Sequence, residues 1–256
     1  MIKQKITLLG SGTSQGIPVI GCHCRTCSSI DHKDKRLRTS ALVEINNQNI
    51  LIDAGPDLRM QLLNNRVEEV DAVLFTHEHQ DHTAGLDDLR PIIFKQKKAM
   101  PLWCSKQVEA RLMQQYSYVQ KNANYPGIPK FDYQNILSDT FNVEGVKVVR
   151  IKALHGNLDV SGFRIGDISY ITDLNYIQET ELKKVIGSQV LILGCLRREP
   201  HHSHFNLEEA IEVGKKTGIP RIFLTHLSHH FEKHQELSAV LPKGFELAFD
   251  GLVIEL

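Results

Sequence analysis

Four side chains able to bind a metal ion crowd into six consecutive positions of this 256-residue chain. They are His77, His79, Asp81 and His82, in the run Thr76-His77-Glu78-His79-Gln80-Asp81-His82. Imidazole nitrogen suits zinc, iron and manganese, and carboxylate oxygen suits harder ions. His77 and His79 alternate along extended backbone with one residue between them. A compact loop can therefore aim this pair at one ion and Asp81 with His82 at a neighbouring one. Two adjacent divalent ions activate water for hydrolysis. The plain alternative, surface histidines in a loop, explains neither the density of the run nor its mixture of nitrogen and oxygen donors.

A second cluster is made of sulfur. Three of the five cysteines are Cys22, Cys24 and Cys27, which lie within six residues. That spacing is poor for a disulfide framework and good for a metal, and it points to a reducing compartment, the cytoplasm. A closed structural zinc site needs four donors. The fourth must come from elsewhere, and Leu227-Ser228-His229 offers His229, with His230 as its competitor. Cys104 and Cys195 sit in apolar surroundings and read as core.

The elements that position these groups are visible as apolar, β-branched runs at 6–9, 41–45, 50–52, 72–76, 146–151, 168–172, 190–193, 222–225 and, with breaks, 245–254. Five of them end in a metal-capable residue: Asp53, His77, His155, Asp173 and His226. A buried strand delivers its last residue to a fixed place on the sheet rim, so five such ends can converge. Helical patterns lie between the strands. Pro56 suits the first helical position of 57–63, Ser105 can cap 106–115, and Asn206 can cap 207–216 with Gly218 ending it. Strands and helices alternate throughout, so the class is α/β or α+β with covered sheets. No linker divides the chain, which reads as one domain over 1–256 with a Cys-rich loop at about 21–30.

Lys and Arg total 30, as do Asp and Glu. A diffuse nucleic-acid footprint needs a basic face, so nucleic acid is not expected as a partner. No apolar run reaches the roughly 20 residues that a membrane span needs, and the first residues are too short for a signal-peptide core.

The pattern Thr-His-x-His-x-Asp-His resembles the signature of the metallo-β-lactamase superfamily. The resemblance implies its four-layer αββα sandwich, two mixed sheets flanked by helices. It also implies a dinuclear centre of His77, His79, Asp81, His82, His155, Asp173 and His226. In it Asp173 bridges, and Asp53 braces the ligand loop from behind. Cys22, Cys24, Cys27 and His229 are similar to the zinc knot of the PhnP-type branch, typified by phosphoribosyl 1,2-cyclic phosphate phosphodiesterase. His204, ahead of Asn206, resembles the proton-donating histidine of that branch and of tRNA 3′-processing endonucleases. His202 is its competitor.

The expected reaction is therefore hydrolysis of a small phosphodiester, cyclic or open, with two Zn²⁺ or Mn²⁺ ions and one structural Zn²⁺. Asp81 and His204 are the catalytic pair, and a hydroxide between the ions is the nucleophile. The ions' charge exceeds that of Asp81, Asp173 and the hydroxide by about one unit, which suits an anionic substrate. Arg197 with Arg198, and the turn Gly10-Ser-Gly-Thr-Ser-Gln-Gly16, are candidates to contact it. Solvated arginines and tight turns explain them equally well. Three rivals share parts of the pattern. They are a thioester, lactone or other ester hydrolase, a tRNA 3′-processing nuclease with 116–130 as a short insertion, and a pyrroloquinoline quinone pathway protein. A homodimer is compatible with this reading.

Overall fold

The computed structural model describes residues 4–121 and 125–256. Residues 122–124, inside the stretch read as a short insertion, lie outside the described residues. In chain order the strands are β1 (Gln4–Gly10), β2 (Ser40–Ile45), β3 (Gln48–Ile52), β4 (Ala72–Leu74), β5 (Met100–Cys104) and β6 (Phe131–Asn135). They continue as β7 (Thr140–Val143), β8 (Val146–His155), β9 (Leu158–Ile165), β10 (Ile168–Ile171), β11 (Val190–Gly194), β12 (Arg221–Thr225), β13 (Phe245–Leu247) and β14 (Leu252–Glu255).

They form two seven-stranded mixed sheets, ordered β14-β1-β2-β3-β4-β5-β6 and β13-β12-β11-β10-β9-β8-β7. Each sheet has the same plan. Three antiparallel pairings are followed by three parallel ones, with the change of direction at β3 in one sheet and at β10 in the other.

The sequence explains the layering. Both faces of the central strands are covered, so they read as unbroken apolar runs rather than alternating ones. Alternate residues nevertheless go to different cores. Val43, Ile50, Ile52 and Leu74 meet Phe163, Tyr170, Ile192 and Phe223 between the sheets. Leu42, Leu51 and Val73 face outward against helices Leu58–Asn64, Arg90–Gln96 and Lys106–Gln115. Leu191, Leu193 and Leu224 face helix Leu207–Thr217 on the far side. The result is the αββα sandwich that the resemblance implied.

The helix ends follow the sequence signals with one exception. Ser105 accepts from the Val108 N–H. Asn206 and Glu209 form a reciprocal capping box, and Gly218 closes that helix in left-handed backbone. Pro56 is not the first helical residue. It lies in the turn before Leu58, and the Asp57 carboxylate is drawn away to Arg38 at 2.8 Å, which moves the start. Four strands carry no clear apolar run. Phe131–Asn135 and Thr140–Val143 are edge strands with polar, partly exposed faces. Pro101 interrupts β5, and Gly162 interrupts β9. A Cβ on Gly162 would stand 2.9 Å from the Tyr170 carbonyl oxygen.

Phe163 is wholly buried where the sheets face each other. Phe163→Ala is expected to cost about 3–5 kcal/mol of stability, read from the midpoint of urea unfolding.

Candidate metal centre

β3, β4, β8, β10 and β12 deliver their ends to one rim. Asp53 and His226 directly follow β3 and β12, and His155 is the last residue of β8. β4 stops earlier than expected, at Leu74. The cause is Asp53, whose Oδ1 takes the Thr76 N–H at 2.8 Å and lifts that residue out of the sheet. His77 and His79 then cross a short extended stretch, and Gln80–Thr83 forms a single helical turn that carries Asp81 and His82.

Asp53, Asp173 and His226 all have left-handed backbone, with φ of 64°, 52° and 61°. Few non-glycine residues adopt this conformation, and such strain concentrates at functional sites. Each turns the chain sharply off its strand. Gly55 completes the loop: a Cβ there would come within 1.9 Å of the Asp81 carbonyl oxygen.

The side chains gather in two adjoining groups. His77, His79 and His155 make one, and Asp81, His82, Asp173 and His226 make the other, each with its donor atoms within 4.8 Å of one another. Asp173 stands between them. Its Oδ2 is 3.9 Å from His77 Nε2, 3.5 Å from His82 Nε2 and 3.2 Å from His226 Nε2. Hydrogen bonds fix the ring orientations from behind. Asp53 Oδ2 accepts from His82 Nδ1 at 2.7 Å and from the Thr76 hydroxyl at 2.8 Å. Having donated to Asp53, that hydroxyl can accept from His77 Nδ1, 2.9 Å away. His155 Nδ1 donates to the Ser203 carbonyl at 2.6 Å. Each ring thus turns its Nε2 lone pair toward the cluster.

The electrostatics ask for a cation. Burial alone would discharge His82, but Asp173, Asp81 and Asp53 surround it and push its pKa well above the ordinary value. Burial would raise Asp173 and Asp81, yet the neighbouring imidazoles hold both low. Burial, then His82, pushes His77 well down. Buried ring nitrogens are left over: His82 Nε2 and both nitrogens of His226 make no hydrogen bond. The close approach of His226 Nε2 to Asp173 is too poorly angled to be one. Unsatisfied buried nitrogens facing carboxylates, each costing about 1–3 kcal/mol, fit the ligands of an ion. The donor set of five histidines and two aspartates suits divalent zinc or manganese.

The sulfur cluster is equally compact. Cys22, Cys24 and Cys27 Sγ lie 3.3, 3.6 and 3.5 Å from His229 Nδ1, and none is in a disulfide. A tetrahedron with zinc–sulfur bonds of about 2.3 Å has edges of about 3.7 Å, so the four atoms fit such an ion. Burial raises the Cys24 thiol, but the Cys27 N–H, His229 and the other thiols outweigh it and bring it to about 6. His229, not His230, joins the sulfurs. His230 is exposed and lines a cleft of about 210 Å³.

That cleft opens beside His226 and is also lined by Thr13, Ser14, Gln15, Arg197, His201 and His204. The 10–16 turn and Arg197 therefore border the site. Arg198 does not: it pairs with Glu232 at 2.7 Å on the surface. His204 is half-buried, with its ring 4.4 Å from His155 and stacked 4.7 Å from His226. Burial, then the nearby His226, holds it far below the usual histidine range, although the Asp173 carboxylate works the other way. His202 is exposed and plays no part in the cluster. Two contributors escaped the sequence reading. The Ser203 carbonyl has no side-chain signal. His201 was detectable only as the first of three histidines in four positions.

Residues 48–227 match the β-lactamase superfamily domain. The chain belongs to the metallo-β-lactamase superfamily. A solved diphosphatase of the PhnP family is 34% identical, covers 99% of this chain and 98% of its own, and superposes with a TM-score of 0.92, which sets the chain in the PhnP-type branch. An octanoyltransferase of Porphyromonas gingivalis is 40% identical over 96% of this chain, which spans only 50% of that longer protein. Zn²⁺-bound PqqB from Methylobacterium extorquens shares the fold, with a TM-score of 0.82 at 20% identity over 98% of this chain and all of its own. The superfamily and its PhnP-family neighbour support a metal-dependent hydrolase. Among the described residues, no helix is long and apolar enough to cross a membrane.

Asp53→Ala removes the acceptor that orients His82 and Thr76. It is expected to weaken metal binding at the histidine–aspartate centre about 10–100-fold in chelator competition, with the cysteine site unaffected.

Proposed function

We propose that this chain hydrolyses a small phosphodiester, with two Zn²⁺ or Mn²⁺ ions held by His77, His79, Asp81, His82, His155, Asp173 and His226. Cys22, Cys24, Cys27 and His229 would hold a third, structural Zn²⁺. The observation that carries the reading is the position of His204. It stands against both donor groups at an open cleft whose remaining lining contains no acidic side chain. A carboxylate-free wall favours an anionic substrate.

Bound divalent ions supply Lewis-acid polarisation of a phosphoryl oxygen and an activated water. The protein's own part is orientation and proton transfer. Asp53, Thr76 and the Ser203 carbonyl hold the imidazoles with Nε2 inward. Asp81 and Asp173 carry the negative charge of the centre, and Asp173 stands within 4.8 Å of His155 and His204. As the P–O bond breaks, water's oxygen joins phosphorus and the leaving oxygen takes a proton from His204. An anionic phosphate beside that ring offsets the burial that discharges it, so substrate binding itself prepares the donor.

One observation favours a second reading. The octanoyltransferase relative bears a name for acyl chemistry, and this chain corresponds to half of it. Hydrolysis of an acyl thioester at the same centre would use the same ions.

Two measurements test these readings. Metal-loaded protein is expected to turn over bis(p-nitrophenyl) phosphate and an alkyl phosphodiester but not octanoyl thioesters; thioester turnover alone sinks the phosphodiesterase. His204→Ala should slow the alkyl diester about 10²–10⁴-fold and the p-nitrophenyl diester far less, since p-nitrophenolate leaves without a proton. Elemental analysis is expected to give three metal ions per chain, and two after Cys24→Ser.

A further inference from the structure

The cleft wall beyond the histidine–aspartate centre carries donors that the hydrolysis of a simple diester leaves unused. They lead outward in steps. The His204 ring lies 4.7 Å from His226, the His201 ring lies 5.2 Å beyond His204, and Arg197 borders the same cleft.

Three hydrogen bonds orient these outer groups. His201 Nδ1 accepts from the Ser203 N–H at 3.3 Å, so the ring's proton is on Nε2, which is a donor. Arg197 gives its Nε to the Glu199 carbonyl at 3.3 Å and its Nη2 to the Pro200 carbonyl at 3.0 Å. Neither bond uses Nη1. The planar head is therefore held by backbone while one amino group remains for an anion. A guanidinium so fixed suits a phosphate better than a mobile surface arginine does. The neighbouring Arg198 makes the contrast, since its charge is spent on Glu232. Ser14 and Gln15 line the same cleft.

We propose that Arg197 and His201 form a second anion subsite, which holds an unreacted phosphate one P–O–P link from the phosphorus attacked. The inference rests on the phosphodiester reading and narrows its substrate to diphosphate-bridged diesters. The subsite lies beyond His204, on the leaving-group side. The second phosphate therefore belongs to the departing half. Water's oxygen joins the attacked phosphorus and gives up one proton, the bridging P–O bond breaks, the bridging oxygen leaves on the second phosphate with the proton from His204, and the proton released by water restores that ring. A diester with an uncharged leaving group fills the centre and leaves Arg197 and His201 without a partner.

AMP and ADP differ by one phosphate and serve as binding probes for the metal-loaded protein in calorimetry. Wild type is expected to bind ADP about tenfold or more tightly than AMP. Arg197→Met and His201→Ala should each shrink that preference several-fold, the double variant should abolish it, and Arg197→Lys should restore part of it. An ADP-to-AMP ratio near one in wild type, or a ratio that survives the double variant, overturns the subsite. Turnover of ADP-ribose and of bis(p-nitrophenyl) phosphate is measured alongside. An intact ADP preference with neither compound hydrolysed sinks the phosphodiesterase reading and leaves the subsite standing. Turnover of the simple diester without any ADP preference does the reverse.

Discussion

A buried carboxylate governs the arrangement of this centre. Asp53 is wholly buried at the end of β3, and its two oxygens take the Thr76 N–H, the Thr76 hydroxyl and His82 Nδ1. Burial pushes its pKa up, and those three donors work against the shift. The next residue extends the hold, since Ala54 N–H donates to the His82 carbonyl. A single strand end thus stops β4, fixes the backbone of the ligand run and sets a tautomer. Without it Asp81 and His82 would occupy an ordinary loop.

The two sheets explain why so many donor side chains reach one place. Each sheet changes from antiparallel to parallel pairing at one strand, β3 or β10. Beyond each change lies an aspartate in left-handed backbone, Asp53 in one half and Asp173 in the other. His82 joins the two, with Nδ1 2.7 Å from Asp53 and Nε2 3.5 Å from Asp173. One aspartate became the brace, and the other stands between the two donor groups.

The cysteine site is coupled to the cleft through a short turn. His226 and His229 lie three residues apart and belong to different donor clusters. Between them the Leu227 N–H donates to the Ser11 carbonyl, and Ser11 begins the turn that borders the cleft. The buried Arg36 reaches Ser11 Oγ and His234 Nδ1, joining that turn to the segment beyond the cysteines. Ordering the cysteine loop thereby orders the cleft wall.

The sequence by itself determined the chemistry and the class of fold. Donor types and their spacing were visible in His77–His82 and in Cys22–Cys27, because ligands near in sequence are held by a few rigid bonds. The strand ends Asp53, His155, Asp173 and His226 were legible because buried strands announce themselves as apolar runs. Edge strands such as Phe131–Asn135 were not, since half their side chains face water and lose the pattern. Tertiary structure alone decided which histidine joined which cluster. His229 and His230, or His201, His202 and His204, have equal chemistry, and one residue of register separates a ligand from a cleft wall or from solvent. It also decided that Arg197 faces the cleft while Arg198 is neutralised by Glu232, because a guanidinium's partner is set by whichever surface folds against it.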